Sequence, residues 1–254
     1  MSMFIPVVEL VENYNINPKN IMHVGAHLAE ESRSYDEYFN APVLWIEAQP
    51  QLCSELKKRL NPQKNTIVEA CVLDKDDEIV LFNFSSNSQS SSVLNFGTHS
   101  RNYPDVIVTE RVAVKTKRLD TILHGRETPD FINLDIQGVE LKALKSLGSL
   151  INRVDAVYTE VNKREVYEKC DLLEDIDYFL IQNGFRRIAT RWELSAGWGD
   201  ALYVSENVKR RSFRQYLRSQ KQVGKFYAPQ IKSNIKQTIE RKVIFIKNIK
   251  SFKP

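Results

Sequence analysis

Apolar and polar positions alternate along this chain with two different periods. Ile21–Val24 is a short apolar run stopped by Gly25, and Val43–Glu47 is a second, apolar until its last residue. Runs of this length, bounded by turn residues, predict strands buried on both faces. Pro50 then opens a helical pattern in which Leu52, Leu56 and Leu60 recur every fourth position. Thr66–Ala70 predicts a third strand. Glu78–Phe84 and Val106–Lys115 alternate at period two and predict a hairpin-like excursion. Arg118–Leu123 reads as a short helix. Pro129–Ile136 reads as a fourth core strand, followed by a helix carrying Leu141, Leu144 and Leu147. Ala156–Val161 is a fifth strand. Leu172–Gln182 is a helix closed by Asn183 and Gly184, a left-handed cap. Phe185–Trp192 and Ala201–Val204 form a final strand pair.

Strands alternating with helices predict a mostly parallel sheet covered on both faces. Such sheets bind ligands at the carboxyl ends of their strands. No internal repeat interrupts the pattern. The one low-complexity stretch is SSNSQSSS, residues 85–92. Composition favours a solvated loop there. The alternative is a mobile lid, because the stretch leads into apolar Val93–Phe96 and then His99.

The strand ends carry the chemistry. HVGAHLAEE, residues 23–31, follows the first strand and is expected to open a helix. Gly25 there removes a side chain where backbone must approach a ligand, and a helix N-terminus offers free N–H groups. An ordinary tight turn explains the segment nearly as well. Glu47 closes the second strand 22 positions later. A carboxylate at that place can accept hydrogen bonds from both ribose hydroxyls of a nucleotide; otherwise it is a solvated strand end. Asp135 follows the fourth strand and precedes Gly138, so it is either a helix cap or a group at the sheet's carboxyl edge. Glu160 ends the fifth strand similarly. Together Asp135 and Glu160 would either hold a cation such as Mg²⁺ or position a hydroxyl.

Charge divides the chain unevenly. Residues 205–254 hold 14 Lys or Arg against two acids, net +12, which leaves residues 1–204 at −8 within a whole-chain charge of +4. The expected organisation is an acidic domain over 1–204 and a basic C-terminal extension over 205–254. Three cysteines without CxxC spacing argue against a disulfide framework or zinc knuckle and for a reducing cytoplasm. The N-terminal residues lack the basic flank of a secretory signal, and no run is long enough to span a membrane.

Taken in order, HVGAHLAEES, VLWIEAQP, EACVLDKDDE, RLDTIL, FINLDIQGVELKALKSL, YTEV, and GF with DALYV resemble the FkbM family of methyltransferases. The resemblance spans about residues 20–204. It implies a Rossmann-like class I methyltransferase fold, a seven-stranded sheet with antiparallel last strands, and S-adenosylmethionine (SAM) as methyl donor. It implies O-methylation, commonly of sugar or polyketide hydroxyls. By the same resemblance Gly25 and Ala26 line the methionine part of SAM, Glu47 the ribose, Ala70 and Cys71 the adenine, and Asp135 the region near the sulfonium. His27, Glu30 and Ala48 are expected beside them in the cofactor site. The chain departs from the family pattern at His23, where many methyltransferases have an acid, and at Ala29, where many have glycine.

The expected activity is therefore O-methylation of a sugar or glycan hydroxyl. The expected catalytic residues are Asp135, Glu160 and His99, the last because a histidine titrates near neutrality. Alternatives are an RNA methyltransferase recruited by the basic extension and an inactive SAM-binding interaction module. Phosphate would be repelled by the acidic domain, which disfavours the first, and intact Glu47 and Asp135 disfavour the second. An NAD enzyme would need the pyrophosphate glycines that are missing here. The extension reads first as basic helices packed on the acidic domain, second as an anchor to an anionic membrane surface, and third as a nucleic-acid contact.

Overall fold

The computed structural model describes residues 3–206. The basic extension from residue 207 onward, and with it the helical, membrane and nucleic-acid readings of that segment, lies outside the described residues. Ten strands occur, β1 (Ile21–Val24), β2 (Val43–Glu47), β3 (Asn65–Glu69), β4 (Cys71–Val72), β5 (Ile79–Ser85), β6 (Val108–Lys117), β7 (Phe131–Leu134), β8 (Ala156–Asn162), β9 (Phe185–Glu193) and β10 (Trp198–Ser205). Seven of them form one sheet in the order β3-β2-β1-β7-β8-β10-β9. β1, β2, β3, β7 and β8 run parallel, and β10 is antiparallel to both β8 and β9. The mostly parallel sheet is the one the strand–helix alternation predicts, and its seven strands with antiparallel last members are those the resemblance implies. The order reverses between β1 and β7, which opens a crevice at their carboxyl ends.

All four residues of β1 are buried, as its apolar composition requires. Successive side chains take opposite faces. Met22, Val24, Ile132, Leu134, Val157 and Val161 pack with Leu144 and Ile176 from the helices Glu140–Ser146 and Leu173–Gln182. Ile21, Trp45, Phe131 and Tyr158 face the other way, against Leu10, Tyr35 and Phe39. Leu10 belongs to a helix, Val7–Tyr14, that the sequence reading passes over. It is two turns long, buries Val7 and Leu10, and ends at Asn15 in a left-handed conformation. The helix Pro50–Arg59 forms as read: proline sits at its start, Lys57, Lys58 and Arg59 complement its C-terminal dipole, and Leu56 is buried beside Cys53. Gly184 takes φ +77° behind the Leu173–Gln182 helix, the expected left-handed cap.

The excursion is also present. β5 and β6 pair antiparallel, and with β4 they make a separate three-stranded sheet. Two boundaries move. β7 ends at Leu134, so Asp135 and Ile136 lie in the following turn rather than in the strand. β10 begins at Trp198, which brings Asp200 into the sheet opposite Glu160.

Candidate active site

A cleft of about 1400 Å³, measured to its open mouth, lies over the carboxyl ends of β1, β2, β7 and β8. Its first wall is the segment after β1. No helix starts at Gly25; helical backbone begins only at Ser32 and widens into a π-helical turn over Tyr35–Phe39. The intervening residues form a loop with φ +85° at Gly25, +44° at His27 and +52° at Ala29. Gly25 is needed for packing within the protein: a Cβ there would stand 1.8 Å from the Asp135 carbonyl oxygen. The missing side chain lets the β1 loop lie against the β7 turn, a packing role that the sequence reading does not name, and Gly25 also lines the cleft.

Glu47 is held at the end of β2 by two backbone donors. His27 N–H reaches one carboxylate oxygen at 2.8 Å and Gln49 N–H the other at 2.9 Å. Each oxygen retains a lone pair toward the cleft, the capacity that two ribose hydroxyls require. Burial pushes the Glu47 pKa up, and these N–H donors work against that shift. Ala48, Ala70 and Cys71 line the adjoining cleft with Ile46 and Val72, an apolar slot suited to an adenine ring. The Cys71 thiol is pushed by burial up to about 12 and stays neutral.

His27 sits between floor and roof. Its Nδ1 lies 2.7 Å from a Glu30 oxygen and its Nε2 lies 2.8 Å from Ser88 Oγ. Partial burial works to raise the Glu30 pKa, but its contacts with His27 outweigh that and hold it down to about 2. The serine-rich stretch is the roof itself, contrary to the solvated loop that its composition favours. Ser90, Ser91 and Ser92 are buried. Gln49 donates to the Ser88 carbonyl at 3.1 Å, Gln89 donates to Glu30 at 3.2 Å, and Ser92 Oγ donates to the Gln137 carbonyl at 2.8 Å.

The far end of the cleft gathers Asp135, Glu160 and His99, as expected, and adds residues that the sequence reading leaves aside. Asp135 does not cap the next helix. Asp171 does that work, accepting from the Leu141 N–H at 3.1 Å, while Glu140 accepts from the Ile136 and Gly138 N–H groups of the turn before the helix. Asp135 and Glu160 form a hydrogen-bonded pair with a raised pKa on each, loss of hydration being the first cause for both. The two carboxyls repel one another's second charge, so the pair holds one proton between them. Gln137 donates from its amide to both carboxylates. Its own amide oxygen is 2.6 Å from the Tyr167 hydroxyl. An amide that donates to both acids stands where a cation was expected, and among the described residues no group of three His, Cys, Asp or Glu is arranged to hold a metal ion. The donor set does not fit Mg²⁺.

Asp200 lies beside this pair, accepts from the Tyr158 hydroxyl and from the Phe4 N–H at 2.8 Å, and is pushed by burial up to about 7. Its signal was faint, a single acid within the run WGDALYV at a mostly apolar strand. His99 faces the cleft with its ring stacked on Phe96 at 4.3 Å and its Nε2 3.2 Å from Ser90 Oγ. Burial lowers its pKa, which favours the neutral ring. Six carboxylates line the cleft in all, Glu30, Glu31, Glu47, Asp135, Glu160 and Asp200, and among the described residues no Lys or Arg does. SAM carries positive charge on its sulfonium and on its amino group. An acidic cleft with a ribose-type carboxylate and an apolar slot fits it.

Comparison with known proteins agrees. The profile of the methyltransferase FkbM domain matches residues 23–187. No curated protein matches the chain. Among solved structures, the chain is similar to magnesium protoporphyrin IX methyltransferase from Synechocystis PCC 6803 with bound SAM, at 12% identity over 79% of this chain and 76% of that one, with a TM-score of 0.44. It is also similar to the ribosomal protein L11 methylase of Lactobacillus delbrueckii subsp. bulgaricus, at 9% identity over 79% and 77%, with a TM-score of 0.45. With the sheet order, the strand-end acids and the family match together, the chain belongs to the FkbM methyltransferase family and is a SAM-dependent methyltransferase.

Proposed function

We propose that the protein transfers a methyl group to the oxygen of an uncharged, hydroxyl-bearing acceptor, a sugar or glycan. The observation that carries this reading is the composition of the far end of the cleft. Asp135, Glu160 and Asp200 lie there with Tyr103, Tyr167, Trp198 and His99, and no Lys or Arg accompanies them among the described residues. Aromatic faces and hydrogen-bonding acids suit a sugar ring. A phosphate or carboxylate on the acceptor would be repelled, which speaks against RNA as substrate.

SAM supplies the methyl group on its sulfonium. Asp135, at the carboxyl edge of the sheet, would take the acceptor's hydroxyl proton at a carboxylate oxygen. Gln137 fixes the pair's geometry by donating to both carboxylates. A proton shared between Asp135 and Glu160 keeps a second negative charge out of the pair. His99, neutral and wedged among aromatic rings, helps shape the pocket and is the weaker base.

The test is a transfer assay with SAM over neutral glycosides, uronates, sugar phosphates and RNA, reading S-adenosylhomocysteine release and the mass and position of the added methyl. O-methylated neutral glycosides are expected. Preferential methylation of a phosphorylated sugar or of RNA would overturn the reading. SAM binding without transfer to any acceptor would support the inactive-module alternative.

A further inference from the structure

Where many of its relatives carry an acid near the amino group of SAM, this chain carries His23, and the structure makes that position unfit for the task. The His23 ring is buried between Trp45, 5.0 Å away, and Tyr35, whose hydroxyl lies 3.3 Å from Nδ1 and also accepts from the Asn133 amide at 2.9 Å. Burial drives its pKa down to about 3, so it is neutral at every working pH. The positive amino group of SAM therefore needs a partner from elsewhere.

The position of that amino group is bounded. Glu47 marks the ribose and the Asp135–Glu160 pair marks the methyl group, so the methionine chain leaves over the β1 loop. Three acids face that region. Glu30 is engaged by His27 and Gln89. Asp135 is engaged by Gln137 and Glu160. Glu31 is 93% buried, lines the cleft, and has no side-chain partner among the described residues; only its own backbone N–H is placed to reach its carboxylate.

We propose that the Glu31 carboxylate is the partner of the SAM amino group, replacing the acid that His23 displaces. A buried carboxylate aimed into an open cleft is costly without a cation, and an ammonium hydrogen-bonded to it removes that cost. Without cofactor, burial first and then the neighbouring charges of Glu30 and Asp135 push Glu31 up to about 7. Tyr35 also faces it and is neutral near pH 7. Arrival of an ammonium therefore releases the proton that Glu31 holds. The inference rests on SAM being the cofactor and names the residue that recognises its amino-acid end.

Calorimetry with three probes tests it. S-adenosylhomocysteine carries the amino group without the sulfonium, SAM carries both, and 5′-methylthioadenosine carries neither. Glu31→Gln should weaken SAM and S-adenosylhomocysteine about ten- to a hundredfold and leave methylthioadenosine unchanged. An unchanged SAM affinity, or an equal loss with methylthioadenosine, overturns the assignment. If the variant does not fold, the unaltered protein answers instead. Titrations near pH 6.5 in buffers of different ionisation enthalpy should show proton release with S-adenosylhomocysteine and none with methylthioadenosine; the same value for both overturns it. Failure of all three probes to bind would instead refute the SAM site itself.

Discussion

At the scale of single residues, two neighbours in one loop show how differently a small side chain can be used. Gly25 has both a left-handed backbone and an Asp135 carbonyl oxygen against its α-carbon. Ala29 has the left-handed backbone but is accommodated, fully buried, with its Cβ in place. Gly25→Ala should cost about 3 kcal/mol or more in denaturant unfolding and weaken SAM binding, since the β1 loop must part from the β7 turn. Ala29→Gly should stay within about 1 kcal/mol, because relief of left-handed strain offsets the greater freedom of glycine in the unfolded chain. A reversed order would refute the packing role of Gly25. For catalysis, Asp135→Asn keeps the size of the group but removes the proton acceptor. Turnover should fall about 10²- to 10⁴-fold with SAM affinity changed less than tenfold, measured by transfer assay and calorimetry on the same preparation. Glu47 and Asp135 were legible in the sequence because each follows a short apolar run. Asp200 and Glu31 were not: one sits in an antiparallel strand whose start was read three residues late, and the other is the second of two adjacent acids that sequence cannot tell apart. The fold separates them, turning Glu30 toward His27 and Glu31 toward the cleft.

At the scale of elements, the roof depends on a hydroxyl that touches two layers. Tyr167 reaches the Gln137 amide oxygen and lies 3.2 Å from the Ser90 carbonyl. Tyr167→Phe frees the Gln137 amide to turn away from the carboxylate pair. The expected result is a loss of about 1–2 kcal/mol in stability, at least a tenfold fall in turnover and a SAM affinity within about threefold of the parent. A variant with unchanged turnover would mean that Gln137 is oriented by the carboxylates alone. The elements read correctly from sequence are those with a strong period: β1, β2, β8, the helix from Pro50 and the β5–β6 hairpin. The helix Val7–Tyr14 was passed over because two turns offer few repeats. The serine-rich stretch was misjudged because composition reports affinity for water, whereas Ser90–Ser92 find their hydrogen bonds inside the protein.

At the scale of the whole molecule, the described domain keeps several carboxyl groups protonated that the unfolded chain would ionise. Burial raises Glu31 and Asp200 to about 7 and Glu140 to about 8. Between the ordinary carboxylate range and these values the native state binds more protons than the unfolded state, so stability falls as pH rises. His23 and His99, with lowered pKa values, are neutral in the native state above about pH 6.5, and the remainder of their unfolded-state titration opposes this slope without outweighing three raised carboxyls. The melting temperature without cofactor should therefore decline from about pH 6.5 to 8, and saturating SAM should flatten the decline by favouring the ionised acids of the cleft. A melting temperature that rises over this interval would refute the protonated state of these groups. The roof carries one more consequence. It is stitched to Gln49, His27 and Glu30 on one bank of the cleft and to Gln137, Tyr167 and His99 on the other. We expect spent cofactor to leave past these stitches, so that the exit of S-adenosylhomocysteine sets the pace of repeated turnover. Rapid-quench measurements should then record a first methylation faster than all that follow, whereas a strictly linear time course would assign the slow step to the chemistry.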